Sequence, residues 1–386
     1  MIPGPIEFEP AVLRALGRQT LSHMDPEFSR AFGRAIARLR EVFVAPSGQP
    51  FIVTGSGTLA MEIAAANVIE PGERAVVAST GYFSERMGAI LERLGARVTY
   101  VRAALGEVPD VAEIERALEA APCKLLAITH VDTSTGVRAP VQELARLASA
   151  HGALSIVDGV CAVGGEQLKQ DEWGIDICFT ASQKAIGVPP GLALVMAGPR
   201  AISAWRARKT KVTSPYLDFG EWLPIMDGYE KNTPAYFATP AVNLVAALDV
   251  SLGQIAEEGM VARIARHGRI AGAFRASFRA LGLRAIPLRD EITANTLSAI
   301  YYPDGVDASL VGRVRAEGVT IAGGLHPEAK TKYFRVGHMG AVREGDVLTT
   351  VGAIERALRA SGYKFDAGQG VLAAERAMVG PFVGAQ

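Results

Sequence analysis

One lysine and one aspartate carry the strongest chemical signal in this chain. Lys184 stands in the run Ser182-Gln183-Lys184-Ala185-Ile186-Gly187-Val188-Pro189-Pro190-Gly191, directly after the strand-like segment Asp176-Ile177-Cys178-Phe179-Thr180. Twenty-six positions earlier, the apolar segment Leu154-Ser155-Ile156-Val157 ends in Asp158. Singly, each has an ordinary explanation. A lysine after a strand is usually a solvated loop residue, and an aspartate after an apolar run commonly caps the next helix. Together, at the ends of two β segments, they suit pyridoxal phosphate. The amine forms a Schiff base with the aldehyde, and the carboxylate keeps the pyridine nitrogen protonated so that the ring draws electrons.

The elements that must hold these residues alternate. The spacing predicts a helix over 28–44, then strands at 51–54, 74–78, 97–101, 124–130 and 154–157. Between them, helices are expected at 58–68, 83–94, 111–119 and 141–151. The strands are short apolar runs without alternation, the mark of a mostly parallel sheet buried on both faces. After a strand at 192–196 comes an irregular stretch, 209–239, rich in aromatics and proline. A long helical pattern over 242–281 breaks near Glu258-Gly259. A second, shorter α/β block follows, with strands at 296–302, 319–322 and 334–336 and helices at 310–317 and 347–358. The expectation is an α/β protein with a large domain at 21–255, a smaller one at 256–386, and a segment 1–20 that lines the active site.

Composition narrows the function classes. With 49% hydrophobic residues the chain can bury a large core, and 40 basic against 40 acidic side chains leave no net field for nucleic acid or anionic membranes. Cys123, Cys161 and Cys178 lie in apolar runs and read as buried thiols of a reducing compartment. The N-terminus lacks the regions of a signal peptide, no apolar stretch is long enough to span a bilayer, and Val383-Gly384-Ala385-Gln386 matches no targeting address. A cytoplasmic protein without a metal ion is expected.

Further residues could complete a site. Gly55-Ser56-Gly57-Thr58 lies between a strand and a helix, where free N–H groups and two hydroxyls suit a phosphate. The same stretch also reads as Gly55-x-Gly57-x-x-Ala60, a dinucleotide fingerprint with Glu73 as its acid, which leaves an NAD(P)-dependent oxidoreductase as an alternative. Gly81-Tyr82-Phe83-Ser84-Glu85-Arg86 opens a helix with aromatics that could simply staple it to the sheet. His130-Val131-Asp132-Thr133-Ser134-Thr135-Gly136 could be a polar turn that satisfies its own backbone. Tyr236 and Thr239 could be loop hydroxyls, Thr239 capping the next helix. Arg335, inside the apolar run Phe334-Arg335-Val336-Gly337-His338-Met339-Gly340, needs a partner, and a guanidinium suits a carboxylate.

In these motifs, from about Pro3 to about Leu358, the sequence resembles the class V aminotransferases of fold type I, in particular the alanine/serine–glyoxylate (or –pyruvate) branch. The resemblance implies pyridoxal 5'-phosphate held by Lys184 and Asp158. Ser56, Gly57, Thr58 and Gln183 would bind its phosphate, Phe83 would stack on its ring, and Thr133 would lie beside its phenolic oxygen. It also implies a homodimer with shared sites, in which Tyr236 and Thr239 reach the partner's phosphate. Arg335 would grip the substrate carboxylate, and Gly4 and Ser22 would line the substrate side. Pro3-Gly4-Pro5 is followed by Ile6-Glu7, a departure from the usual Thr or Ser. Cysteine desulfurases fit poorly, because glutamine rather than histidine precedes Lys184 and no cysteine follows Cys178.

The implied reaction moves an amino group from a small amino acid, alanine or serine, to glyoxylate or pyruvate. Relatives that act on aminoethylphosphonate, ureidoglycine or pyridoxamine mark other donors. A scaffold that only binds is disfavoured by the intact Asp158, Gln183 and Lys184.

Overall fold

The computed structural model describes residues 1–379; the C-terminal tetrapeptide considered above lies outside the described residues. Ten strands are present: β1 (Gln49–Thr54), β2 (Arg74–Ser79), β3 (Arg97–Arg102), β4 (Leu125–Thr129), β5 (Leu154–Asp158), β6 (Ile177–Ala181), β7 (Leu192–Ala197), β8 (Leu297–Tyr301), β9 (Ala322–Gly323) and β10 (Tyr333–Gly337). The first seven form one sheet in the order β1-β7-β6-β5-β4-β2-β3. Pairing from β6 through β5, β4 and β2 to β3 is parallel, while β7 runs antiparallel to both β6 and β1. Every residue of β4, β5, β6 and β7 is buried, which is why their sequences are mostly apolar without alternation. The edge strand β3 carries Arg97, Thr99 and Arg102 and is only partly buried.

Because β7 alone is reversed, β1, β2, β4, β5 and β6 all end at one edge of the sheet. Ligands of open α/β sheets bind at that edge, outside the carboxyl ends of the strands. Register makes the placement definite: Asp158, the last residue of β5, lies opposite Thr129 of β4 and Phe179 of β6. Lys184 follows β6 by three residues.

The helix Pro26–Phe43 starts at Asp25, whose side chain accepts from Glu27 N at 2.7 Å. Its buried face carries Phe28, Phe32, Ile36, Leu39 and Phe43. It packs against the helix Val242–Glu258, and Asp249 joins the two by accepting from Arg34 and Arg38, both at 2.6 Å. The long helical pattern divides at Gly259, whose φ of +76° suits a residue without Cβ; the next helix is Met260–Ala280. One apolar core lies around the seven-stranded sheet and reaches Ile255, and a second runs from Ile270 to Ala374 around the antiparallel sheet β8-β10-β9.

Two expectations need correction, and one further helix is unexpected. The irregular stretch 209–239 contains a helix, Phe219–Glu230, despite Pro224 inside it. Asp218 caps it by accepting from Gly220 N at 2.8 Å, and its aromatics pack face to face, Phe219 on Phe51 at 4.3 Å and Tyr229 on Phe32 at 4.1 Å. Tertiary packing outweighs the lost hydrogen bond of the proline. The strand at 319–322 shrinks to Ala322–Gly323, because its partner β10 is bonded there at only two positions. The helix Gln369–Val379 follows the second block and packs on Met260–Ala280.

Phe32 is fully buried between Phe28 and Tyr229. Truncation to alanine removes a ring that rigid neighbours cannot replace, so Phe32→Ala is expected to cost about 3–5 kcal/mol of stability. Urea denaturation of the variant against the parent measures this directly.

Candidate active site

At the carboxyl edge of the large sheet lies a cavity of about 210 Å³, lined by Gly4, Ser56, Gly57, Thr58, Phe83, Thr133, Asp158, Gln183 and Lys184 among others. Segments far apart in the chain meet here because five strands end here. After β1, the turn through Gly55 places Ser56 as N-cap of the helix Gly57–Ala66, with no side-chain cap bond. The first N–H groups of that helix and the Thr58 hydroxyl therefore face the cavity as an anion site. After β2, Gly81 starts the helix Tyr82–Arg93 and brings Phe83 to the wall. Buried Asp132 fixes this helix start by accepting from Phe83 N at 3.0 Å and Ser84 N at 3.3 Å. The same carboxylate accepts from Ser134 N at 2.9 Å, which ties the turn that carries Thr133.

Asp158 is 4% exposed, and its Oδ1 accepts from Val160 N at 2.9 Å. Burial raises its carboxyl from an ordinary 3.8 to about 7, with Asp132 pushing the same way against the pull of the Val160 N–H, Lys184 and Arg86. Lys184 is 8% exposed and donates from Nζ to Pro3 O. Burial lowers its amine, and Arg335 adds to that, while Cys161 and Asp158 act in the opposite direction. Backbone of the N-terminal segment closes over this amine. Ile6 N donates to Gln183 O at 3.1 Å, and Gly4 adopts φ +121° with the position of a Cβ only 2.6 Å from Lys184 Nζ. A side chain at residue 4 would strike the lysine.

These residues fit pyridoxal phosphate on their own geometry. A buried acid held near neutrality calls for a cationic N–H opposite it. The side-chain amide of Gln183 has its oxygen buried without a protein partner, so it is open to a ligand, and its NH2 is the group that could donate to a phosphate. The uncapped helix start at Ser56 suits a phosphate, and Phe83 supplies an aromatic face in the same cavity. The dinucleotide alternative loses its frame, because β1 pairs only with the antiparallel β7, and β2, the next strand after the loop through Gly55, is separated from it by four strands. Glu73, its supposed acid, accepts from Glu70 N at 2.7 Å and faces Lys124 instead.

Not every expected residue reaches the cavity. Arg335 is 9% exposed on β10 and does not line it; Nε donates to Gly323 O at 2.8 Å and Nη1 to Thr133 O at 3.1 Å. Ser22 is exposed and accepts from Met24 N at 3.2 Å. Tyr236 is 61% exposed, its ring 5.1 Å from that of His23, and Thr239 likewise does not line the cavity. Sequence reasoning gave no role to Arg86, which does line it. The guanidinium lies 5.0 Å from the rings of both Tyr82 and Phe83 and donates to Thr58 Oγ1 at 3.3 Å. The spacing 82, 83, 86 on one helix face was its only trace.

A buried acid with a raised pKa destabilises the fold once it must ionise. Here the folded value of about 7 exceeds the ordinary 3.8, so this contribution to stability is present at low pH and is lost as pH rises through 7. Asn at this position keeps the acceptor for Val160 N without the charge. Cofactor-free Asp158→Asn is therefore expected to gain stability relative to the parent as pH rises from about 5 to about 8. Urea unfolding of both proteins across that range checks it, and a pH-independent difference would contradict it.

The match to known proteins agrees with this architecture. The family model for class V aminotransferases covers residues 11–347. Alanine–glyoxylate aminotransferase 1 of Saccharomyces cerevisiae is 37% identical over 353 residues, 88% of this chain and 91% of that protein. Serine–glyoxylate aminotransferase of Arabidopsis thaliana is 31% identical, over 97% of this chain and 93% of that one. Among solved structures, the ureidoglycine–glyoxylate aminotransferase of Bacillus subtilis superposes with a TM-score of 0.91 at 29% identity, covering 98% of this chain and 97% of that one. With the family model covering most of the chain and such relatives matching it over nearly its whole length, this chain is a member of the class V aminotransferase family.

Proposed function

We propose that this enzyme is a pyridoxal 5'-phosphate-dependent transaminase that moves an amino group from alanine or serine to glyoxylate or pyruvate. One observation carries the reading: Lys184, Asp158, Gln183, the helix start at Ser56–Thr58, Phe83 and Thr133 all line a single cavity. The alanine, serine and glyoxylate in the names of the relatives support the choice of substrates.

When bound, the cofactor supplies a sink for the electrons left at the substrate Cα after its proton departs. In this reading the work of the chain is to place groups around that event. The N–H groups at Gly57 and Thr58, with Ser56 and Gln183, would hold the phosphate; Phe83 would cover one ring face, and the Thr133 hydroxyl would serve the phenolic oxygen. Asp158 holds its negative charge against the ring nitrogen, which restores the ionisation that burial opposes. Lys184 Nζ would take the proton from the substrate Cα and deliver it to the cofactor's C4′, two atoms away. Its lowered pKa enlarges the neutral fraction able to do so. Gly4 and the backbone around it keep water from the amine.

Arg335 is the group we assign to the α-carboxylate of both amino and oxo acid. Its Nε and Nη1 are held by backbone carbonyls, which aims the rest of the fork. Tyr236 and Thr239 are assigned to the partner's phosphate in a homodimer, in keeping with their position outside this chain's own cavity, and Ser22 to the rim beside them. We also read residues 21–255 as the cofactor-binding domain and the chain from 256 as the smaller one. Three free cysteines, and no helix among the described residues long and apolar enough to cross a membrane, support a cytoplasmic location.

The deciding experiment is the absorbance spectrum of purified protein with pyridoxal phosphate, before and after alanine or serine is added without an acceptor. A yellow protein that bleaches on amino-acid addition is expected, and Lys184→Ala should abolish turnover. A protein that takes up no cofactor would overturn the reading. Arg335→Ala should lower kcat/KM for donor and acceptor by comparable factors, corresponding to about 2–5 kcal/mol each, with cofactor affinity nearly unchanged.

A further inference from the structure

Strand β10 presents two long side chains on one face, Tyr333 and Arg335, two residues apart. Both reach the same two loops. One is the turn after β4 that carries Thr133 and Ser134; the other is the segment from Gly323 to His326 that follows β9. Arg335 donates to Thr133 O in the first and to Gly323 O in the second. Tyr333 repeats the pattern one step along the strand. Its hydroxyl donates to Ser134 O, and it accepts from Leu325 N at 2.8 Å and His326 N at 2.9 Å. The ring is fully buried, so these three backbone groups cannot fall back on water when the hydroxyl is lost. Burial also raises the phenol above its ordinary value, which keeps the proton that Ser134 O accepts.

We propose that Tyr333 is a positioning residue that acts through Arg335. By tying the Thr133–Ser134 turn to the Gly323–His326 segment, it holds apart at a set distance the two carbonyls that aim the guanidinium. The inference rests on the assignment of Arg335 to the substrate carboxylate. Tyr333 touches neither substrate nor cofactor in this account. It determines where the carboxylate fork points, so losing its hydroxyl loosens carboxylate binding in both half-reactions while the phosphate loop, Phe83 and Asp158 stay as they are.

Tyr333→Phe keeps the ring and removes only the hydroxyl. With the holoenzyme, KM for alanine and for glyoxylate is expected to rise together by about tenfold, kcat to fall less than threefold, and the Kd for pyridoxal phosphate to stay within twofold. Propionate, a carboxylate without an amine, gives a readout apart from turnover. Its Kd, from the perturbation of the holoenzyme's visible absorbance, should rise about tenfold as well. Arg335→Ala is the reference. If it leaves propionate binding unchanged, the carboxylate assignment fails and this inference with it. If Arg335→Ala weakens propionate but Tyr333→Phe does not, only the role of Tyr333 is overturned. A Tyr333→Phe protein that loses cofactor affinity and carboxylate affinity equally would show general loosening and would likewise refute it. Should that variant fold poorly, Leu325→Pro removes one of the two N–H donors to the hydroxyl while Tyr333 stays in place, and the same rise in propionate Kd is expected.

Discussion

Burying an amine and a carboxyl in one small cavity sets the terms for the rest of this molecule. Each group resists its charged form there, the lysine pushed down and the aspartate up to about 7. Neither disruption is tolerable unless the fold around them is rigid enough to prevent water from entering or the backbone from collapsing. The rigid part is the parallel half of the large sheet, with β4, β5 and β6 wholly buried and held by a definite register. Against it lies the N-terminal segment, which has no strand of its own. Its backbone supplies the acceptor for Lys184 and is itself held by Gln183 O.

A second theme is the use of buried side chains to tie loops that come from different strands. Asp132 joins the start of the helix Tyr82–Arg93 to the turn at Ser134 through backbone N–H groups of both. Glu166 does similar work between the two cores. It accepts from Asn295 Nδ2 at 3.1 Å and faces Arg138 at 3.8 Å, although burial raises its carboxyl. His267 and His338 are buried and pushed down to about 3, so they are neutral ring donors and acceptors at physiological pH. His338 meets Ser298 at 3.0 Å and stacks on Phe274. That is a packing role, in keeping with its place beside Arg335 in sequence but on the other face of the strand end.

Much of the candidate site was legible in the sequence, because the relevant chemistry is local. A lysine three residues past one apolar run and an aspartate ending another are placed at the same sheet edge by parallel pairing alone. The glycine and hydroxyl loop after β1 is likewise a property of a strand-to-helix turn. The break at Gly259 could be read because one residue type tolerates its backbone angle. By contrast, nothing local marked the helix Phe219–Glu230. Its proline argues against a helix, and the aromatic stacks that offset this involve Phe32 and Phe51, some 170 to 200 residues away.

The sequence by itself determined the residue types, their positions just past the strands, and the alternation that makes the sheet mostly parallel. These follow from side-chain period and from turn chemistry, which act over a few residues. Only the tertiary structure decided which of those residues share a cavity. Arg86 reaches Thr58 because two helices pack side by side, and Arg335 is held by one carbonyl from the neighbouring strand β9 and one from a turn some 200 residues away in the chain. Tyr236 and Ser22 stand outside that cavity for the same reason. Distances between side chains are set by packing against distant segments, and pKa values by the burial that packing produces. Neither quantity is written in any single stretch of chain.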